Sequence, residues 1–117
     1  MTVKEMIELI EAENMTPETD VNAEVSCGYT CDLLSWVMAH GKAGMAWITV
    51  QTHMNVIAVA SLMEMAAVII PEEIEMEEAS LAKAREEGIC VLQSGKTAFE
   101  LCAEMARAGL PGTPRED

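Results

Sequence analysis

Ala66-Ala67-Val68-Ile69-Ile70, closed by Pro71, is the stretch on which the fold turns. Five apolar residues follow one another with no polar alternation, as in a strand covered on both faces, and such strands belong to parallel sheets. Proline has no N–H to give to a sheet ladder, so Pro71 marks the end of the strand. Upstream, Met45–Val50 has the same character, and the apolar segment His53–Met63 between the two reads as a helix. Downstream, an acidic helix is expected from about Glu73 to Glu87, stopped by Gly88 at the position that favours a left-handed residue. Ile89–Gln93 is the next strand. Thr97 with Glu100 forms a capping box that opens a helix to Ala108, and Gly109 terminates it.

Before Met45 the rhythm is the same. Val25–Thr30 reads as a strand and Asp32–Ala39 as a helix ending at Gly41. Thr2 with Glu5 makes a second capping box, opening a helix to about Ile10 with Val3, Met6, Ile7 and Ile10 on one face. Thr16-Pro17 begins a turn-like acidic segment that reaches Glu24. Short strands alternating with helices are βαβ units. The sequence therefore predicts an α/β, three-layer domain with a mostly parallel sheet of about four to five strands and helices on both faces. At 117 residues there is one domain. It is expected over 1–110, with a flexible tail over 111–117.

Half the residues are apolar and ten are Met, with only 3 % aromatic, so Met and Ala act as core filler. The formal net charge of −13 repels phosphodiester backbones and anionic lipid, which argues against nucleic acid and membrane surfaces as partners. The longest apolar run, around Val56–Met63, is far short of the roughly 20 residues a membrane span needs. No basic segment precedes an apolar stretch at the start, so a cytoplasmic location is expected. Its four cysteines then read as reduced thiols.

Gly95-Lys96-Thr97 lies between a strand and a helix and invites comparison with a phosphate-binding loop. Such a loop needs G-x-x-x-x-G-K-[ST], and the position of its first glycine holds Cys90. Only Ser94 and Gly95 remain to form the loop, which is too short to wrap a triphosphate. A lesser role is left for Lys96, contact with an anion beside a helix N-terminus. Cys27 and Cys31 are spaced i, i+4, wider than the usual C-x-x-C knuckle, and read as small buried hydrophobes with no metal. Glu72–Glu78 is a solvated helix face, its carboxylates favoured by the helix dipole.

Gln51-Thr52-His53-Met54-Asn55 stands where a strand hands over to its helix. Thr52 suffices as an N-cap. In open parallel sheets ligands bind outside the carboxyl ends of strands, so Gln51, His53 and Asn55 either contact a ligand or remain solvated. Asp32 has the same two readings, a cap or a ligand contact. His53 lacks a nucleophile and an orienting acid, so no catalytic residue and no cofactor are assigned. His40 caps a helix end, Trp47 is buried, and Trp36 is a candidate anchor for a partner.

Val25-Ser26-Cys27-Gly28-Tyr29, Asp32-Leu33-Leu34-Ser35, Trp47-Ile48-Thr49-Val50-Gln51-Thr52-His53 and Ala58-Val59-Ala60-Ser61-Leu62 together resemble the DRTGG domain family. The resemblance covers roughly residues 2–110 and implies an α/β domain similar to the N-terminal domain of HPr kinase/phosphorylase. It also implies kinship with regulatory domains of phosphate acetyltransferases and CBS-domain pyrophosphatases, which sit at subunit interfaces. Short members of the family occur near hydrogenase genes. The eponymous motif is degenerate here, reading Asn22-Ala23-Glu24-Val25-Ser26-Cys27-Gly28 without its acid, its arginine and one glycine. A non-catalytic regulatory module is the function this implies. A small anionic metabolite or nucleotide is expected near Gly28, Tyr29, Asp32, Gln51, Thr52, His53, Asn55 and Lys96, in a homodimer. The alternative is an interaction scaffold for a hydrogenase-related protein or a kinase.

Overall fold

The computed structural model describes residues 1–113. Along the chain come α1 (Val3–Ile10), β1 (Glu13–Asn14), β2 (Cys27–Thr30), α2 (Leu34–His40), β3 (Met45–Ile48), α3 (Met54–Leu62), β4 (Ala67–Ile70), α4 (Glu78–Glu87), β5 (Val91–Gln93) and α5 (Ala98–Arg107). The strands form one sheet in the order β1-β5-β4-β3-β2, parallel throughout except that β1 runs antiparallel to β5. This is the α/β, mostly parallel architecture that the apolar strands predict.

Strand order explains the layers. β2, β3, β4 and β5 lie side by side in chain order, so α2, α3 and α4 each carry the chain one strand further in the same direction. Crossovers of one hand, repeated in one direction, place their helices on one face. Val37, Val56, Ile57, Leu81 and Ala84 of those helices accordingly share a core with Met45, Trp47, Val68, Ile70 and Val91. The alternate strand residues Ala46, Ile48, Ala67, Ile69 and Leu92 point the other way, onto Val3, Met6 and Ile10 of α1 and Leu101 and Met105 of α5. All of β3 and β4 is buried, as strands covered on both faces must be. Trp47 is completely enclosed, and its indole N–H donates to the Cys31 carbonyl at 2.9 Å, so no polar atom of the ring is stranded.

Several local expectations are corrected. α4 starts at Glu78 and not near Glu73, because Glu72 and Glu73 both take left-handed backbone angles (φ 59° and 56°). In that conformation their N–H groups donate to the carbonyls of Lys96 and Ser94 at 2.9 Å, which wraps the chain over the end of β5 before the helix can begin. Glu13-Asn14, without a strand signature, pairs with Gln93 and Leu92 as an edge strand. Within the acidic segment, Thr16 is fully buried. Its hydroxyl accepts from the Val91 N–H at 2.9 Å and donates to the Ile89 carbonyl at 3.3 Å, tying the segment to the start of β5.

Pro111 begins the stretch expected to be a flexible tail, and its carbonyl accepts a hydrogen bond from Gly28 N–H at 2.9 Å. Residues 114–117 of that stretch lie outside the described residues. Among the described residues no helix is long and apolar enough to cross a membrane.

Candidate functional site at the carboxyl edge of the sheet

Because the parallel strands never reverse their order, the middle of the carboxyl edge lacks the crevice that opens where neighbouring helices leave on opposite faces. The residues singled out there are consequently engaged with one another. Asp32, just past β2, accepts with Oδ1 from the Thr49 hydroxyl at 2.8 Å and from the Val50 N–H at 2.9 Å. Gln51 returns the contact, its Nε2 donating to the Asp32 carbonyl at 3.1 Å. Asp32 thus closes the turn after β3 and does not cap its own helix, whose N-cap is Leu33 without a side-chain bond.

The Thr52 carbonyl accepts from the Ser80 hydroxyl at 2.7 Å, which joins this turn to α4. The N-cap of α3 is His53, whose Nδ1 accepts from the Asn55 N–H at 3.2 Å, so the capping role expected of Thr52 falls one residue later. Lys96 stands on the other side of the sheet. Its ammonium donates to both carboxylate oxygens of Glu104 at 2.6 and 2.8 Å, with Glu11 at 3.8 Å. The bond to Glu104 holds the Lys96 pKa above its ordinary value. Its charge is thereby partly offset by a neighbouring carboxylate.

Gly28 and Tyr29 lie elsewhere again. Together with Thr30 and Ile48 they form one wall of a groove of about 320 Å³, and Cys102, Met105 and Ala106 of α5, with 110–113, form the other. A Cβ at Gly28 would project into this space, at contact distance (3.4 Å) from Leu110 Cδ2 and Met105 Cε. β2 is the edge strand, so alternate backbone groups point away from the sheet, and the Gly28 N–H among them donates to the Pro111 carbonyl beside the groove. Among the described residues no Lys, Arg or His lines it. Burial pushes the Cys102 thiol up, which keeps it protonated at neutral pH. Tyr29 turns its ring to the opposite face, against the α2–α3–α4 core, and burial raises its phenol.

Of the eight residues read from the sequence, two line this groove, four belong to the turn after β3 and its supports, and Asn55 lines a separate groove between α2 and α3. Lys96 is held in its ion pair. The α5 wall was missed in the sequence because Cys102 and Met105 carry only an ordinary amphipathic helix pattern. Cys27 and Cys31, both free, are four residues apart on extended chain, roughly 13 Å, which excludes a disulfide between them. Among the described residues no group of His, Cys, Asp and Glu is placed to hold a metal ion.

No family model matches the chain, and no curated protein matches it. Its fold is similar to a solved structure of the CBS and DRTGG domains of the regulatory region of Clostridium perfringens pyrophosphatase, complexed with the activator diadenosine tetraphosphate. The TM-score is 0.70 at 9 % identity, covering 99 % of this chain and 51 % of that one. This chain thus spans about half the length of that structure. The likeness is one of fold.

Proposed function

We propose that the chain is a non-catalytic regulatory module of DRTGG type, whose ligand is a small metabolite with a flat, mainly apolar part, a nucleoside being the model. The observation that carries this reading is the groove between β2 and α5. Its volume falls at the lower end of the range typical for small-molecule sites. An apolar slot suits a base, and Thr30 and Thr113 are the hydroxyl-bearing residues of the lining that a polar rim could use, together with the Tyr29 backbone. The fold shared with a regulatory region crystallised with a nucleotide activator supports the same reading.

The groove alters the expectation of an anionic ligand. Among the described residues its lining offers no cation, and the chain carries a net charge of −13, so phosphate groups add repulsion. Adenosine should therefore bind at least as tightly as ATP, and ATP binding should strengthen with added salt as that repulsion is screened. Thermal-shift measurements with adenosine, ATP and acetyl phosphate test this, because a ligand specific for the folded state raises the melting temperature by mass action. Adenosine is expected to stabilise the wild type and to lose most of that effect in Gly28→Val, whose side chain projects into the groove. No stabilisation by any of the three, or an equal shift in Gly28→Val, would refute the reading.

A further inference from the structure

All twenty Asp and Glu of this chain lie outside residues 33–63. Folding turns that gap in the sequence into a surface, because the gap contains α2, β3 and α3, and the two helices lie next to each other on one face of the sheet. Among the described residues seven large apolar side chains are exposed, and six of them come from this segment: Leu33, Trp36, Met38, Val50, Met54 and Leu62. α3 is the centre of it. Val56, Ile57, Val59 and Ala60 face the core, while Met54, Ala58 and Leu62 form an outward stripe at i, i+4 and i+8. A helix apolar on both sides is normally covered on both sides.

Leu34 and Met38 of α2 border the same surface, and between the helices runs a groove of about 300 Å³ lined by these two residues with Asn55, Ala58, Val59 and Leu62. We propose that this α2–α3 face joins two copies of the chain. The face is complementary to itself, as a two-fold contact requires, since it offers a groove and also the projecting side chains, Met38 (49 % exposed) and Leu62 (66 %), that fill one. Charge selects the occupant. Two chains of net charge −13 repel wherever their carboxylates meet, and residues 33–63, which form this face, contain none of them. A basic partner would be drawn to the acidic surfaces and gain nothing here. The small Ala58 at mid-stripe lets two α3 helices cross closely. This inference rests on residues apart from the β2–α5 groove and stands or falls without it.

Sedimentation equilibrium of the whole chain at low and high sodium chloride is the test. A monomer–dimer equilibrium is expected, and association should tighten as salt screens the repulsion while leaving apolar contact intact. Leu62→Glu and Ala58→Glu should each weaken it at least about tenfold, with the circular dichroism spectrum unchanged because both side chains are exposed. Phe99→Glu, at a still more exposed apolar site outside the face, should leave the dimer intact. Should Leu62→Glu misfold, Ala58→Glu decides alone. A chain that stays monomeric in all salt conditions overturns the proposal, even if another protein proves to bind the face. So does a dimer broken by Phe99→Glu and untouched by the α3 variants.

Discussion

The Asp32 carboxylate holds the Thr49 hydroxyl at 2.8 Å, so the end of one strand is fastened by the residue that follows its neighbour. Thr49 is buried and depends on this acceptor. Asp32→Ala leaves the hydroxyl and the Val50 N–H without it and should cost about 1–3 kcal/mol. Asp32→Asn keeps an acceptor oxygen and should cost less. Urea midpoints for the two variants give the comparison.

Thr16 makes the same argument in the core of the acidic segment. Thr16→Val preserves shape but strands the Val91 N–H and the Ile89 carbonyl, both of which bond the hydroxyl. The expected loss is about 1–3 kcal/mol in chemical denaturation. A neutral result would mean that the segment is not tied to β5 through this side chain.

Left-handed backbone is held here by glutamates as well as by glycines. Glu64 has φ 55° after α3, and Gly88 has φ 72° after α4. Glu64→Gly should stabilise by about 0.5–1 kcal/mol, because glycine adopts this conformation without a steric penalty. Gly88→Ala should destabilise although a Cβ there meets open space, since the strain is in the backbone alone. Opposite shifts in melting temperature are the expected outcome.

The two capping boxes give stability a defined pH dependence. Backbone N–H donation from Thr2 and Thr97 lowers the pKa of Glu5 and Glu100 below the ordinary 4.5. A depressed carboxyl stabilises the fold above its unfolded value, and the gain disappears as pH falls through the folded value. Glu100→Gln should therefore be less stable than wild type at neutral pH, with the gap closing in acid. Thermal melts from neutral pH down to about pH 3 follow it.

Thiol reactivity should follow burial. Cys27 and Cys90 are both about fully enclosed (2 % exposed), and burial pushes the Cys90 thiol up further. The part-buried Cys31 and Cys102 should react first with Ellman's reagent, and the other two only on unfolding.

Some of this structure could be read along the chain and some could not. Ala67–Ile70 and Met45–Ile48 announce themselves because a strand covered on both faces admits no polar residue. The start of α4 does not, since Glu72 and Glu73 are good helix formers by composition and are turned aside by the ends of β5. Glu13-Asn14 becomes a strand only because β5 supplies its partner. At the candidate site, Asp32 and Gln51 stand out as polar residues at strand ends, yet they satisfy each other's turns. Gly28 belongs to a groove whose second wall, α5, lies far along the chain, and no local pattern links them. Long-range contact decides the site, where local pattern decides the strands.

Titration of the nitrogen-15-labelled chain with adenosine, followed by amide chemical shifts, reports whether a ligand is held between β2 and α5. Shifts centred on Gly28, Thr30, Ala106 and Leu110 are predicted. Shifts centred on Gln51, His53 and Asn55, or no shifts at saturating adenosine, would contradict the claim.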